Sequence, residues 1–266
     1  MNPKPKRLKR SPGTKAPLAW ADGPARTRGR GKNLEPPSKQ RRNRIKALVF
    51  DFDGLIVDTE VPIFRAWQRI YREHGQELPL DRWLTIIGTS SGSFDPVQEL
   101  GDRIGEHLDE AALDTLERLY YAESTALQQL LPGVAEYLAG AHRLGLKTAV
   151  ASSSSRKWVM EHLERFRIGG QFDAIVVRED VKKTKPDPEL YRTALQRLGV
   201  QPDEAIALED STNGIHAAKA AGLYCVVVPN LLTADLDLTE ADLRLLSLEA
   251  MSLPALLETV NGTKPS

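Results

Sequence analysis

Cysteine is nearly absent from this chain of 266 residues. Cys225 stands alone, so no disulfide framework can form, and the reducing cytoplasm is the expected location. Long apolar runs are absent too: no stretch approaches the roughly 18 residues of a membrane-spanning helix, so no membrane partner is expected. The first residues hold no apolar signal core, which argues against secretion. Histidine is sparse, and His74, His107, His142, His162 and His216 share no metal-ligand spacing, so an imidazole metal centre is not expected. What is present, 41% hydrophobic and 27% charged residues, suits a soluble globular protein of one large domain or two small ones.

A formal net charge of zero conceals a division. Residues 1–44 carry fourteen Lys/Arg and two acids, a charge of +12, whereas residues 45–266 carry 22 basic and 34 acidic groups, a charge of −12. The first segment also holds seven of the seventeen prolines and little periodicity, and is predicted to be a basic disordered tail. Nucleic acid is a candidate partner only through this tail. Its Lys/Arg would supply counterion-release affinity without sequence specificity, and Trp20 alone offers no series of stacking rings. A solvated extension, a start codon placed early and an Arg-rich transit peptide are the other readings of the same residues. The acidic remainder disfavours a duplex lying across it.

The rest of the chain is organised around residues 45–60. A short apolar run at 47–50 reads as a strand buried on both faces, and it stops in acid: Asp51, Asp53, then Gly54 and Asp58-Thr59. Acids crowded at the end of a buried strand repel one another and resist desolvation, so a bound cation is the simplest way to neutralise them. An ordinary acidic turn is the alternative, since Asp and Gly are common in turns. A helix is predicted over 61–74, with Ile63, Phe64, Trp67, Ile70 and Tyr71 on one face. Helical patterns follow at 80–87, 96–108 and 109–130, the last capped by Asp109, with a flexible loop at 88–93. Beyond Gly133 helices and strands alternate, with strands near 146–151, 174–177, 205–208 and 224–228, and Ser211 caps the helix after the third of these. The chain after about 231 reads as helical.

This alternation implies an α/β fold, a Rossmann-like doubly wound parallel sheet, interrupted after its first strand by an inserted α-helical cap domain. The expected division is a tail at 1–44, a core at 45–60 and 131–235, a cap at 61–130 and a C-terminal helical segment at 236–266. The crossings near 59–62 and 131–133 would act as a hinge.

Ligands of open parallel sheets bind beyond the carboxyl ends of the strands. Asp51 and Asp53 end one strand, Ser152 another, Glu209 and Asp210 a third, and Lys185 follows a fourth. Singly, each has an ordinary explanation as a turn, a helix start or a solvated loop. Together they would place four carboxylates, a hydroxyl and an ammonium at one sheet edge, a set that suits a hard cation and an anion. Carboxylate oxygens suit Mg2+, which prefers a phosphate partner. A carboxylate is also a nucleophile for phosphoryl transfer, and the remaining task is positioning and charge neutralisation. Ser152 could donate to phosphate oxygens and Lys185 neutralise charge, while Asp53 could protonate the leaving alcohol and then activate water.

Four stretches carry a resemblance. Asp51-Phe-Asp-Gly-Leu-Ile-Val-Asp-Thr-Glu60, Ala151-Ser-Ser-Ser154, Lys185-Pro-Asp-Pro188 and the run from Leu208-Glu-Asp-Ser-Thr-Asn-Gly214 to Gly222 resemble, in order, the four motifs of the haloacid dehalogenase superfamily. They are most similar to its helical-cap phosphatase branch, which includes phosphoglycolate phosphatase-like and β-phosphoglucomutase-like proteins. The resemblance covers about residues 45 to 230 and leaves the tail outside. It implies Asp51 as nucleophile and Mg2+ ligand, and Asp53 as general acid/base that ligates Mg2+ through its backbone carbonyl. It implies Ser152, with Ser153 beside it, and Lys185 as phosphate binders, Glu209 and Asp210 as completing the metal site, and Asp58 as a cap of the turn.

The implied activity is hydrolysis of a small phosphorylated metabolite by a monomeric enzyme. A phosphosugar mutase is the alternative, but the cap histidine of mutases matches Ile63 here. Dehalogenases of the superfamily lack the second aspartate, so Asp53 counts against that activity. Thr89, Ser90 and Ser93 in the cap loop are candidate readers of the leaving group, with Arg65 and Arg82 as further candidates. Because the tail lies outside the resemblance, deleting residues 1–44 is expected to leave phosphate release intact. A steady-state comparison of full-length and truncated protein checks this, and a collapse of turnover would contradict it.

Overall fold

The computed structural model describes residues 45–88 and 94–262. The tail at 1–44 and the cap-loop residues Thr89, Ser90 and Ser93 lie outside the described residues. Strand β1 (Ala47–Phe50) is buried along its whole length. Its side chains alternate between two core layers, Leu48 and Phe50 on one side and Ala47 and Val49 on the other. A strand covered on both faces needs no polar alternation, which is why its sequence is uniformly apolar.

Among the described residues, the block after β1 holds helices α1 (Glu60–Glu73), α2 (Leu80–Leu84), α3 (Pro96–Ile104) and α4 (Glu110–Thr125). Asp95 and Asp109 cap α3 and α4 by accepting from backbone N–H groups in their first turns, Asp109 from Ala112 at 3.2 Å. These helices have a core of their own, in which Phe64, Trp67, Ile70 and Tyr71 of α1 meet Trp83, Phe94, Leu100 and Leu113. Ile63, expected on that apolar face, packs against this core but is only half-buried and also borders a cleft.

The chain then winds through α5 (Val134–Leu144), β2 (Lys147–Ala151), α6 (Arg156–Arg165), β3 (Ala174–Val176), α7 (Glu189–Leu198), β4 (Ala205–Glu209), α8 (Thr212–Ala220) and β5 (Tyr224–Val227). It ends with β6 (Leu243–Arg244) and α9 (Leu253–Gly262). The six strands are parallel in the order β3-β2-β1-β4-β5-β6, so the chain leaves β1 in opposite directions and creates a switch point there. Helices α5, α6 and α9 cover the face of Leu48 and Phe50 with Leu138, Leu163 and Leu256. Helices α7 and α8 cover the other face, where the strands present the small residues Ala47, Ala149, Ala151, Ala205 and Ala207.

The segment after 231 departs from its expected helical character. It contains β6, which pairs Leu243 with Val226 and Arg244 with Val227, ahead of α9. A two-residue strand is too short to show a period in sequence. Its register is set by Asp242, whose N–H donates to the Cys225 carbonyl at 2.9 Å and whose carboxylate accepts from the Cys225 N–H at 2.7 Å.

The two chain crossings between sheet and helical block run side by side. Val57 and Leu130 form an antiparallel bridge, Leu131 N–H donates to the Ile56 carbonyl at 3.0 Å, and the Gln128 amide donates to the Asp58 carbonyl. No helix among the described residues is long and apolar enough to cross a membrane.

Candidate active site

Sheet register places the first acids. Phe50 pairs with Val150 on one side and Leu208 on the other, so Asp51 emerges level with Glu209 and one step before Ser152. The Asp51 N–H still donates to the Leu208 carbonyl at 2.9 Å, which anchors its backbone to the sheet. Lys185, in the loop before α7, is 1% exposed and reaches this strand end. Its ammonium donates to Asp51 Oδ1 and lies 2.6 Å from Glu209 Oε1. The Tyr191 hydroxyl donates to the same Glu209 oxygen at 2.5 Å, and Asn230 Nδ2 donates to Asp210 Oδ2 at 2.8 Å. Two glycines make room for the cluster. A Cβ on Gly214 would lie 1.8 Å from Glu209 Oε2, and one on Gly54, whose φ is +83°, would lie 2.4 Å from Asp210 Oδ2.

Asp51, Glu209 and Asp210 are all buried, and each offers an oxygen within 4.8 Å of the others. Among these groups Lys185 supplies one positive charge against three carboxylates. Burial pushes the Asp51 carboxyl up to about 8, the Lys185 charge opposing this and the Glu209 and Asp53 charges adding to it. Burial and then the Asp51, Glu209 and Glu60 charges raise Asp210 well above the usual carboxylate range. Burial disfavours the Lys185 ammonium, yet the Asp51 and Glu209 carboxylates hold its proton more tightly than a free lysine would. Half-buried Glu60, at the start of α1, is raised to about 8 by burial and by the Asp53 and Asp51 charges. An all-oxygen donor set with two uncompensated negative charges fits a hard divalent cation.

Asp53, two residues on, faces differently. Its Oδ1 accepts from Thr59 Oγ1 and from Trp158 Nε1, each at 2.8 Å. Its Oδ2 accepts from Ser154 Oγ at 2.6 Å and Ser152 Oγ at 3.2 Å. Ser152 thus lies beside Asp53, fully buried, with its hydroxyl turned to it. Ser153 borders the cleft and donates to the Gly88 carbonyl at 3.1 Å, across to the helical block. Asp58 accepts from the Val61 N–H at 3.2 Å and so caps the start of α1.

A cleft of about 910 Å3 opens over these groups. Asp51, Asp53 and Ser153 line it from the sheet, and Glu60, Ile63, Trp67 and Tyr121 line it from the helices. Arg65 and Arg82 do not border it. Arg65 projects into solvent, and Arg82 lies over Phe94 and pairs with Glu99 at 3.8 Å. The structure also brings Thr59, Glu60, Trp158, Tyr191 and Asn230 to this site. Thr59 and Glu60 were signalled by adjacency to the acidic turn, and Asn230 by its place just past a strand. Trp158 and Tyr191 sit on helix faces and carry no such signal.

Comparison with known proteins accords with this geometry. The family model of haloacid dehalogenase-like hydrolases matches residues 48–228. The chain is 46% identical over 218 residues to the putative phosphatase YhcW of Bacillus subtilis, covering 82% of this chain and 99% of that one. It is 32% identical over 182 residues to a phosphorylated carbohydrates phosphatase of Thermotoga maritima, covering 67% of this chain and 82% of that one. Among solved structures, a β-phosphoglucomutase of Clostridium difficile superimposes with a TM-score of 0.66 at 25% identity, over 82% of this chain and 98% of that one. The doubly wound sheet with its acid cluster at the switch point is thus that of a hydrolytic enzyme. The chain belongs to the haloacid dehalogenase-like hydrolase family.

The charge surplus has a consequence for stability. Asp51 and Glu60 have ordinary values of 3.8 and 4.5 and folded values of about 8. The folded state therefore holds protons that the unfolded chain has released. Their contribution is greatest below about pH 4 and is lost as pH rises through about 8. In chelator, the urea midpoint is expected to fall from about pH 5 to about pH 8. Added Mg2+ favours the ionised carboxylates and is expected to flatten that fall. A midpoint that rises over this range in chelator would contradict the assignment.

Proposed function

We propose that this enzyme is a Mg2+-dependent phosphatase that releases phosphate from a small phosphomonoester through an aspartyl-phosphate on Asp51. The observation that carries the reading is the buried Lys185 ammonium held between Glu209 and Asp51, which borders the cleft, with Asp210 beside them. The carboxylate of Asp51 attacks phosphorus as the bond to the alcohol oxygen breaks. Asp53 gives its proton to that oxygen, then takes one from the water that attacks the aspartyl-phosphate, so that phosphate leaves and Asp51 is restored. Lys185 and Ser152 bind the phosphoryl oxygens. Asp51, Glu209, Asp210 and the Asp53 carbonyl would hold Mg2+, which supplies charge neutralisation for the transferring phosphoryl group.

The alcohol is sugar-like in this reading. Glu60 and Glu117 line the cleft with carboxyl groups that can hydrogen-bond to hydroxyls, and the edge of Trp67 borders the same space. A relative named for phosphorylated carbohydrates supports the same class. Helices between about 61 and 130 serve as a lid that excludes water and reads the leaving group.

The fold likeness to a β-phosphoglucomutase favours a second reading, a phosphosugar mutase. Ile63 weighs against it. This residue borders the cleft where mutases place a histidine, and its side chain can neither carry a proton nor donate one.

A phosphate-release screen over sugar phosphates, nucleotides and phosphoglycolate, with a parallel mutase assay, tests the proposal. Turnover is expected on sugar phosphates without mutase product. Asp51→Asn is expected to lower turnover by more than roughly 10^3-fold. Retained turnover in Asp51→Asn would remove the covalent route.

A further inference from the structure

At residues 87 and 88 the helical block meets the sheet side through its main chain. Asn213 Nδ2 donates to the Ile87 carbonyl at 2.9 Å, and Ser153 Oγ donates to the Gly88 carbonyl at 3.1 Å. A carbonyl only accepts, so both bonds depend on donors from the sheet side. The turns that carry the site place those donors. Ser153 follows Ser152 just beyond β2, and Asn213 stands in the first turn of α8, three residues after Asp210.

The fit at Gly88 is close. Its φ is +74°, and a Cβ there would lie 2.3 Å from Ser211 Oγ and 3.6 Å from Asn213 Cβ. The Ser211 hydroxyl has little freedom to yield. It caps α8 by accepting from the Gly214 N–H at 3.2 Å, and Ser211 is buried. Ile87 is anchored from the other side, because its side chain is buried in the core of the helical block with Phe64 and Trp83. A bond to the Ile87 carbonyl therefore holds that whole core and not a loose loop. Gly88 itself borders the cleft.

We propose that Asn213 is a positioning residue that clasps the helical block over the acid cluster, with Ser153 as the second arm of the clasp. The proposal rests on the reading of that block as the lid of a phosphatase site. One turn carries Glu209, Asp210 and Asn213, so the clasp sets the lid directly against the acids. In both bonds the lid contributes only a carbonyl. The clasp thus depends on the backbone path at 87–88, and a side chain at 88 would hold the lid away.

The test measures lid position apart from chemistry. Nitroxide labels at Asp102→Cys on α3 and Gln196→Cys on α7, both exposed, report the distance between lid and sheet by double electron–electron resonance in the full chain. Cys225 is buried and stays unlabelled. Asn213→Leu keeps the side-chain volume and removes the donor. It is expected to raise the share of a longer distance about fivefold to tenfold, the effect of leaving one acceptor without its partner. The value of kcat/KM for sugar phosphates should fall by about the same factor, as the closed population does. Ser153→Ala should move the distance in the same direction by about twofold to fivefold, and decides the matter alone if Asn213→Leu does not fold. An unchanged distance distribution in these variants would overturn the proposal, even if turnover falls. A longer distance with undiminished turnover would leave the clasp standing and remove the lid reading. If the parent chain releases phosphate from no phosphomonoester, the phosphatase reading fails and the distance result is unaffected.

Discussion

The ammonium of Lys185, buried between the carboxylates of Asp51 and Glu209, sets the terms for everything around it. Removing such ions from water costs several kcal/mol each, and attraction within the cluster offsets this only when the geometry is tight. Here the geometry is tight and the charges still do not balance, because Asp210 adds a third carboxylate. A hydrophobic cluster of the same volume would stabilise the fold at least as well. The arrangement is therefore suited to ligand chemistry rather than to stability. Its supporting contacts follow the same logic: Tyr191 and Asn230 donate to the carboxylates, and Gly214 and Gly54 leave space for them.

Parallel strand topology delivers these groups cheaply. Because β2 and β4 flank β1 in matched register, three strand ends arrive at one level, and polar residues just beyond them converge without any long excursion of the chain. The helical block then needs only to lie over that edge. It has its own apolar core, and the two crossings that join it to the sheet are hydrogen-bonded to each other. Among the described residues its contacts with the sheet side include both ring packing, Tyr121 on Trp158, and hydrogen bonds. Ser153 reaches the Gly88 carbonyl, Asn213 reaches the Ile87 carbonyl at 2.9 Å, and His162 meets Tyr121.

Two aspartates separated by one residue are thereby given unlike surroundings. Asp51 faces a lysine and other carboxylates, so its chemistry is governed by charge. Asp53 faces four uncharged donors, so its surroundings are set by hydrogen bonds rather than by charge. Alternation along an extended chain sends residues i and i+2 to the same side, and only the differing loops above them separate the two environments.

Much of this was legible in the residues alone. Uniformly apolar strands, helices between them and acids at their ends implied a doubly wound sheet with a cation and anion site, because side-chain periodicity and the solvation of charge are local properties. Asp51, Asp53, Ser152, Lys185, Glu209 and Asp210 were visible as polar groups converging on one sheet edge, since each stands at an element boundary. Boundaries do not report on faces, and that is where the reading fell short. The indole of Trp158 on Asp53, the phenol of Tyr191 on Glu209, the turn of Ile63 toward the cleft and the strand at Leu243–Arg244 are long-range or two-residue features. Arg65 and Arg82 were drawn into the site by charge alone, and the packing of α1 and α2 turned them away. Which groups stand at the strand ends was thus decided along the chain; which atom of each is held, and by what, was decided only when separate helices met, because a hydrogen bond between distant residues leaves no period in sequence.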